Sequence, residues 1–194
     1  MSPVRVVLIA LIGAAGLAAG CGTTPEPAFY TLATEAGGAS AQMPAISVIV
    51  GPVTLPEAVD RPQLVISAAG NRVQIEEFHR WAEPLKTGIS RAVAMHLGRQ
   101  LGTSRAGIFS DVTIGDPDYR VLIDMQRFES RPGEAATVEA LWTVRSRDGR
   151  DRTGHTLARE AVTDGSYDAL IAAHGRALAL VSRDVGDAIR MLQR

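Results

Sequence analysis

The chain has a single cysteine, no histidine pair at metal-binding spacing and no apolar run long enough to cross a bilayer. A lone thiol excludes an intramolecular disulfide and any multi-cysteine zinc site. The longest apolar stretch, Val6 to Ala19, is diluted by Gly13 and Gly16 and falls short of the roughly 20 residues a membrane helix needs. Neither sign of charge dominates: 20 basic residues face 21 acidic ones, for a formal net charge of -1. Residues 1–20 contain only Arg5, so the remainder carries 19 basic against 21 acidic side chains, a net of -2. That balance offers no electrostatic case for nucleic acid, which calls for a basic patch.

Catalytic signatures are missing too. There is no G-x-S-x-G elbow, and Ser90, Ser104 and Ser110 lie outside any such context. His79, His96, His155 and His174 form no H-E-x-x-H pair, and Gly37-Gly38 does not open a helix after a strand in the phosphate-binding manner. Glu76-Glu77 and Glu134/Glu139 read as solvated surface. No catalytic residue, metal ligand or cofactor is assigned.

What is present is informative by position. Arg5, then Val6-Val7-Leu8-Ile9-Ala10-Leu11-Ile12, then small residues, is the three-part layout of a secretory signal. It ends in Leu17-Ala18-Ala19-Gly20-Cys21, which resembles a bacterial lipobox. Ala18 departs from the branched apolar residue usual three places before the cysteine. The reading is a signal over residues 1–20, lipid attachment at Cys21, a short polar tether over 21–27 and one domain over 28–194. Residues 21–194 are ample for one core and short for two.

Along the domain, Phe29 to Leu32 and Ile46 to Val50 are rich in strand formers. Glu35 to Pro44 reads as a loop, and Pro52 and Pro56 predict that Val53 to Asp60 is irregular or an edge. Gln63–Ser67 and Arg72–Glu76 flank Gly70-Asn71 as a hairpin. A helix is predicted from Pro84 to Leu101, with Gly102 as its C-cap and Gly88 and Gly98 suited to close packing on a sheet. Strands follow over 107–114, 119–128, 137–147 and 153–163, three of them an antiparallel meander. Ser166 caps a final helix whose stripe is Ile171, His174, Leu178, Val181, Val185, Ala188 and Leu192. The order β-β-β-β-α-β-β-β-β-α implies an α/β fold: a mixed, largely antiparallel sheet with two long amphipathic helices packed on it.

One stretch is distinctive without being catalytic. In Leu55 to Val65, two prolines bracket a bend at which Arg61 presents a planar fork for a carboxylate or carbonyls. Gln63 is able to bond backbone, and Trp81, further on, is suited to pack beside them. Arg61, Pro62, Gln63 and Trp81 are therefore candidates for a structural corner or a partner-docking surface.

The words Asp60-Arg61-Pro62-Gln63 and Trp81-Ala82-Glu83-Pro84-Leu85, with Trp142, behind the lipobox and Phe29-Tyr30-Thr31-Leu32, resemble the PqiC family. These are ABC-type transport auxiliary lipoproteins, also called membrane-integrity-associated transporter subunits. The likeness spans essentially the whole chain after the signal. It implies a non-enzymatic lipoprotein on the periplasmic face of the outer membrane. Its implied partners are an MCE-domain protein of the PqiB type and inner-membrane transporter components. Gly22 agrees, since the enterobacterial inner-membrane retention signal is an aspartate at that place. Self-association is left open, as are a lipid-anchored periplasmic hydrolase and an envelope-assembly factor.

Overall fold

The computed structural model describes residues 25–32, 46–110 and 115–194. Eight strands and two helices follow the order read from the sequence: β1 (Ala28–Tyr30), β2 (Val48–Thr54), β3 (Gln63–Ser67), β4 (Val73–Trp81), α1 (Leu85–Leu101), β5 (Ala106–Ile108), β6 (Tyr119–Arg131), β7 (Ala135–Ser146), β8 (Asp151–Ala161) and α2 (Tyr167–Leu192). The strands divide between two mixed sheets, one ordered β1-β4-β3 and the other β5-β2-β6-β7-β8. The antiparallel part is the β3/β4 hairpin and the β6-β7-β8 meander, while β1/β4, β2/β5 and β2/β6 run parallel.

Local chemistry accounts for most boundaries. Gly102 takes the left-handed conformation (φ 66°) that ends α1. Ser166 accepts a hydrogen bond from the Ala169 N–H at the start of α2. Every residue of the stripe predicted for α2 is buried. Gly98 is tight against the loop that follows the helix cap and not against the sheet: a Cβ would sit 3.1 Å from the Thr103 carbonyl, with Ala106 of β5 at an ordinary 3.5 Å. At Gly88 the nearest atoms would be at an ordinary 3.7 Å.

Three boundaries differ from the sequence reading, each because of a tertiary partner. β2 continues through Pro52, with a register break between Val50 and Val53 that spares the ladder the missing proline N–H. The predicted irregular segment therefore begins only after Thr54. β4 extends to Trp81 because Ala28, Phe29 and Tyr30 pair with His79, Arg80 and Trp81. β5 is only three residues long; Phe109 and Ser110 form a turn, and 111–114 lie outside the described residues, as do the predicted loop over 35–44 and all residues before 25.

The main core lies between the larger sheet and the helices. α1 covers β2 and β5, α2 covers β7 and β8, and the helices pack on each other. Two side chains seal that last contact: the Gln100 side-chain amide donates to the Arg183 carbonyl at 3.1 Å, and Arg190 donates to the Gln100 carbonyl at 2.8 Å. The smaller sheet is tied in by Ser67, which donates to Glu129 of β6 (3.1 Å), and by the His79 ring stacked on Tyr167 at 3.8 Å. Burial and a hydrogen bond to Glu76 push the Tyr167 hydroxyl up to about 12, so it remains a donor across the physiological range.

Candidate functional site

Three of the four corner residues are brought together. A turn carries the Val59 N–H to the Pro56 carbonyl (3.0 Å), and the Arg61 N–H returns to the Val59 carbonyl (2.9 Å). The Pro62 carbonyl then accepts from the Trp81 N–H at 2.7 Å, while the next amide, Ala82, donates to the Tyr30 carbonyl at 2.8 Å. Two distant segments thus grip the end of β4 just before α1 begins. Between them lies a pocket of about 360 Å³ lined by Asp60, Arg61, Pro62 and the run Trp81 to Leu85. The two sequence words that stand 21 residues apart, counted from Asp60 to Trp81, form its opposite walls.

Trp81 is the structural member of the set. It is buried, and it meets Phe128 edge to face at 6.2 Å. Such a pair contributes about 0.5–1.5 kcal/mol beyond its burial. Gln63 departs from the reading: rather than bonding backbone, its amide reaches Glu77 at 3.5 Å, and it is absent from the pocket wall. Its strand position pairs it with Arg80, which sets it outside the cavity.

The electrostatics single out Arg61. Lys86 pairs with Asp60 at 2.6 Å and Arg91 with Glu83 at 3.4 Å, so both carboxylates of the wall are occupied by cations. These pairs are exposed, worth about 0–1 kcal/mol each, but they leave Arg61 without an acid among the described residues. Its Nε is buried and has no hydrogen-bond partner among the described residues. An unmade bond of this kind costs about 1–3 kcal/mol, more for a charged group. Lys86 and Glu83 were given no charge-pairing role in the sequence because such roles depend on which residue faces which across the corner.

A second concavity, of about 840 Å³, lies on the face of the larger sheet away from the helices, over Leu122, Leu141, Thr143, Thr153 and His155. Alternation along β6 and β7 announces which residues turn away from the core, but not that the sheet hollows there. Among the described residues no group of three or more His, Cys, Asp or Glu is placed to hold a metal ion.

A model of the ABC-type transport auxiliary lipoprotein component family matches residues 30–186. The chain belongs to that family. It is therefore an auxiliary lipoprotein component of the ABC-type transport class. The matched span contains both walls of the corner pocket and ends inside α2, whereas Cys21 lies before it and outside the described residues.

Two solved structures share the fold of this auxiliary lipoprotein. One is of an uncharacterized protein, with TM-score 0.68 and 16% identity over 85% of this chain and 99% of the other. The second, from Xanthomonas campestris, gives TM-score 0.63 and 18% identity over 82% and 92% of the respective chains. No curated protein matches the sequence significantly.

The auxiliary lipoprotein does contain a Ser–His contact, Ser130 Oγ to His174 Nε2 at 2.8 Å. Ser130 is 3% exposed and His174 fully buried, with Phe128 stacked on the imidazole at 4.1 Å. No substrate carbonyl reaches a hydroxyl sealed in this way, so the pair is part of the packing between α2 and β6. No helix among the described residues is long and apolar enough to cross a membrane.

Proposed function

We propose that the chain is a non-enzymatic, lipid-anchored subunit of an MCE-type lipid transport system. Cys21 would hold it at the periplasmic face of the outer membrane, and the domain would form the docking end of a trans-envelope lipid path. The observation that carries this reading is the family match over residues 30–186, set beside a cysteine that closes a secretory signal. The corner pocket supports a docking role, since it combines a buried aromatic wall with an Arg61 Nε that lacks an acceptor among the described residues. Its partners in this reading are an MCE-domain protein and the inner-membrane components that serve it.

The anchor is tested by fractionation. Wild-type protein is expected to sediment with outer-membrane vesicles in a sucrose gradient. Cys21→Ser is expected to leave the fold intact, judged by an unchanged thermal midpoint of the extracted protein, and to abolish that sedimentation. A processed Cys21→Ser variant that stays in the membrane fraction, or wild type that bands with the inner membrane, contradicts the assignment.

A further inference from the structure

We propose that the corner pocket receives one carboxylate from a peptide segment of a partner protein, with Arg61 as the residue that takes it and an apolar neighbour of that carboxylate lying on the pocket wall. This rests on the docking reading above and names the chemistry of what docks. Four observations lead there. The pocket is about 360 Å³, at the small end of the roughly 300–1,000 Å³ range of ligand clefts, which suits a short peptide stretch and not a whole lipid. Its walls include Pro62, Trp81, Pro84 and Leu85, an apolar surface interrupted by charge at Asp60, Arg61 and Glu83. Asp60 and Glu83 are already paired with Lys86 and Arg91, so the lining and its partners hold three cations against two carboxylates, one positive charge in excess. Among the described residues Arg61 is the cation left over, and its Nε is buried without an acceptor.

A single excess charge is complementary to a monoanionic carboxylate. A phosphate group would call for more than one free cation. A planar guanidinium offers parallel N–H donors that fit the two oxygens of a carboxylate, which a lysine in the same place would not match. α1 begins on the same wall with Pro84 as its N-cap, which supplies no side-chain hydrogen bond, and with no acidic residue in the first turn. Glu83, just before the cap, sets its carboxylate against the first turns of that helix and offsets its positive end, so the pull on an incoming carboxylate falls to Arg61.

The test uses the full lipidated chain in detergent micelles and two blocked tripeptides, Ac-Leu-Glu-Leu-NH2 and Ac-Leu-Gln-Leu-NH2, followed by the Arg61 Nε–Hε NMR resonance. The glutamate peptide is expected to shift that resonance and to bind at least tenfold more tightly than its glutamine isostere. Arg61→Gln should remove the preference. Ala82→Trp, at an exposed position on the wall, should fill the pocket and block binding while the thermal midpoint stays unchanged. Equal affinity for the two peptides, no binding of either at millimolar concentration, or glutarate competing as well as the peptide would each overturn the proposal. A fatty acid binding in place of the peptide would do the same. None of these results bears on whether an MCE-domain protein co-purifies, so the two readings fail separately.

Discussion

Gly154→Ala is expected to destabilise the protein by at least about 3 kcal/mol, the upper part of the range for overpacking a core. For a domain of this size that corresponds to a fall in thermal midpoint of roughly 6–12 °C, from about 2–4 °C per kcal/mol. A Cβ at position 154 would lie 2.7 Å from Trp142 Cε2 and nearer still to Cζ2 and Cη2, inside the space of the indole ring. The ring is tied in place by hydrogen bonds. Its Nε1 donates to Thr156 Oγ1 at 3.0 Å, and Thr156 in turn donates to Asp184 of α2 at 2.7 Å. Moving the indole breaks a buried bond and disturbs the seating of α2. Gly186→Ala supplies the contrast. Its Cβ would run into the Gln100 amide, but that is the tip of a flexible side chain, which swings away at the cost of one exposed hydrogen bond to the Arg183 carbonyl. Alanine also gains up to about 1 kcal/mol of helix propensity over glycine, so the expected net change is within about 1 kcal/mol. Thermal melts of the two variants, with Gly154→Ala/Trp142→Leu as the coupled double mutant, check the account. Recovery of part of the loss in the double mutant locates the clash at the indole.

The second large effect is a dependence on pH centred on His174. Complete burial pulls its pKa down to about 3, against an ordinary 6.5. Unfolded chain therefore takes up a proton below pH 6.5 that the folded chain refuses until about pH 3. Stability is fully present above 6.5 and falls as the pH drops through that window, by about 1.4 kcal/mol per pH unit. Between pH 7 and pH 5 the loss is about 2 kcal/mol, a large share of the 5–15 kcal/mol typical of a domain. His96, also lowered by burial and by the neighbouring Arg99, adds in the same direction. The acids act later. Asp118 is affected first by burial, which raises it, but hydrogen bonds from Ser47 and the charges of Arg147 and Arg105 outweigh that and lower it, so its contribution is lost only below the ordinary carboxylate range. His174→Phe should flatten the slope of stability against pH between 7 and 5. Its absolute stability will also reflect the Ser130 hydroxyl left unpaired, so the slope, from urea titrations at several pH values, is the quantity that decides.

The sequence made legible what depends on neighbours in the chain. The α2 stripe from Ile171 to Leu192, the Ser166 cap and the Gly102 stop are local events, and the meander follows from short turns at Gly133 and Gly149. The division into two sheets was not legible. It depends on β1 finding the last residues of β4, a parallel pairing between segments about 50 residues apart. The passage of β2 through Pro52 likewise needs the β6 ladder, whose register break accommodates it. At the site, Arg61, Pro62 and Trp81 stood out as words and the fold placed them on one cavity. The occupation of Asp60 and Glu83, which leaves Arg61 without an acid among the described residues, and the turning away of Gln63 are properties of the assembled corner. Cys21 is a candidate on sequence grounds alone, as the one thiol following small residues, and it lies outside the described residues.

The role proposed for these parts is that of a lipid-held domain that meets the end of an envelope-spanning conduit. Affinity purification of the tagged, full-length protein from envelopes solubilised in mild detergent tests that role most directly. The account predicts that an MCE-domain protein co-purifies with wild type, and that the yield drops when Ala82→Trp closes the corner pocket. Repeated recovery of the lipoprotein without any MCE-domain protein, from cells shown to make both, would contradict it.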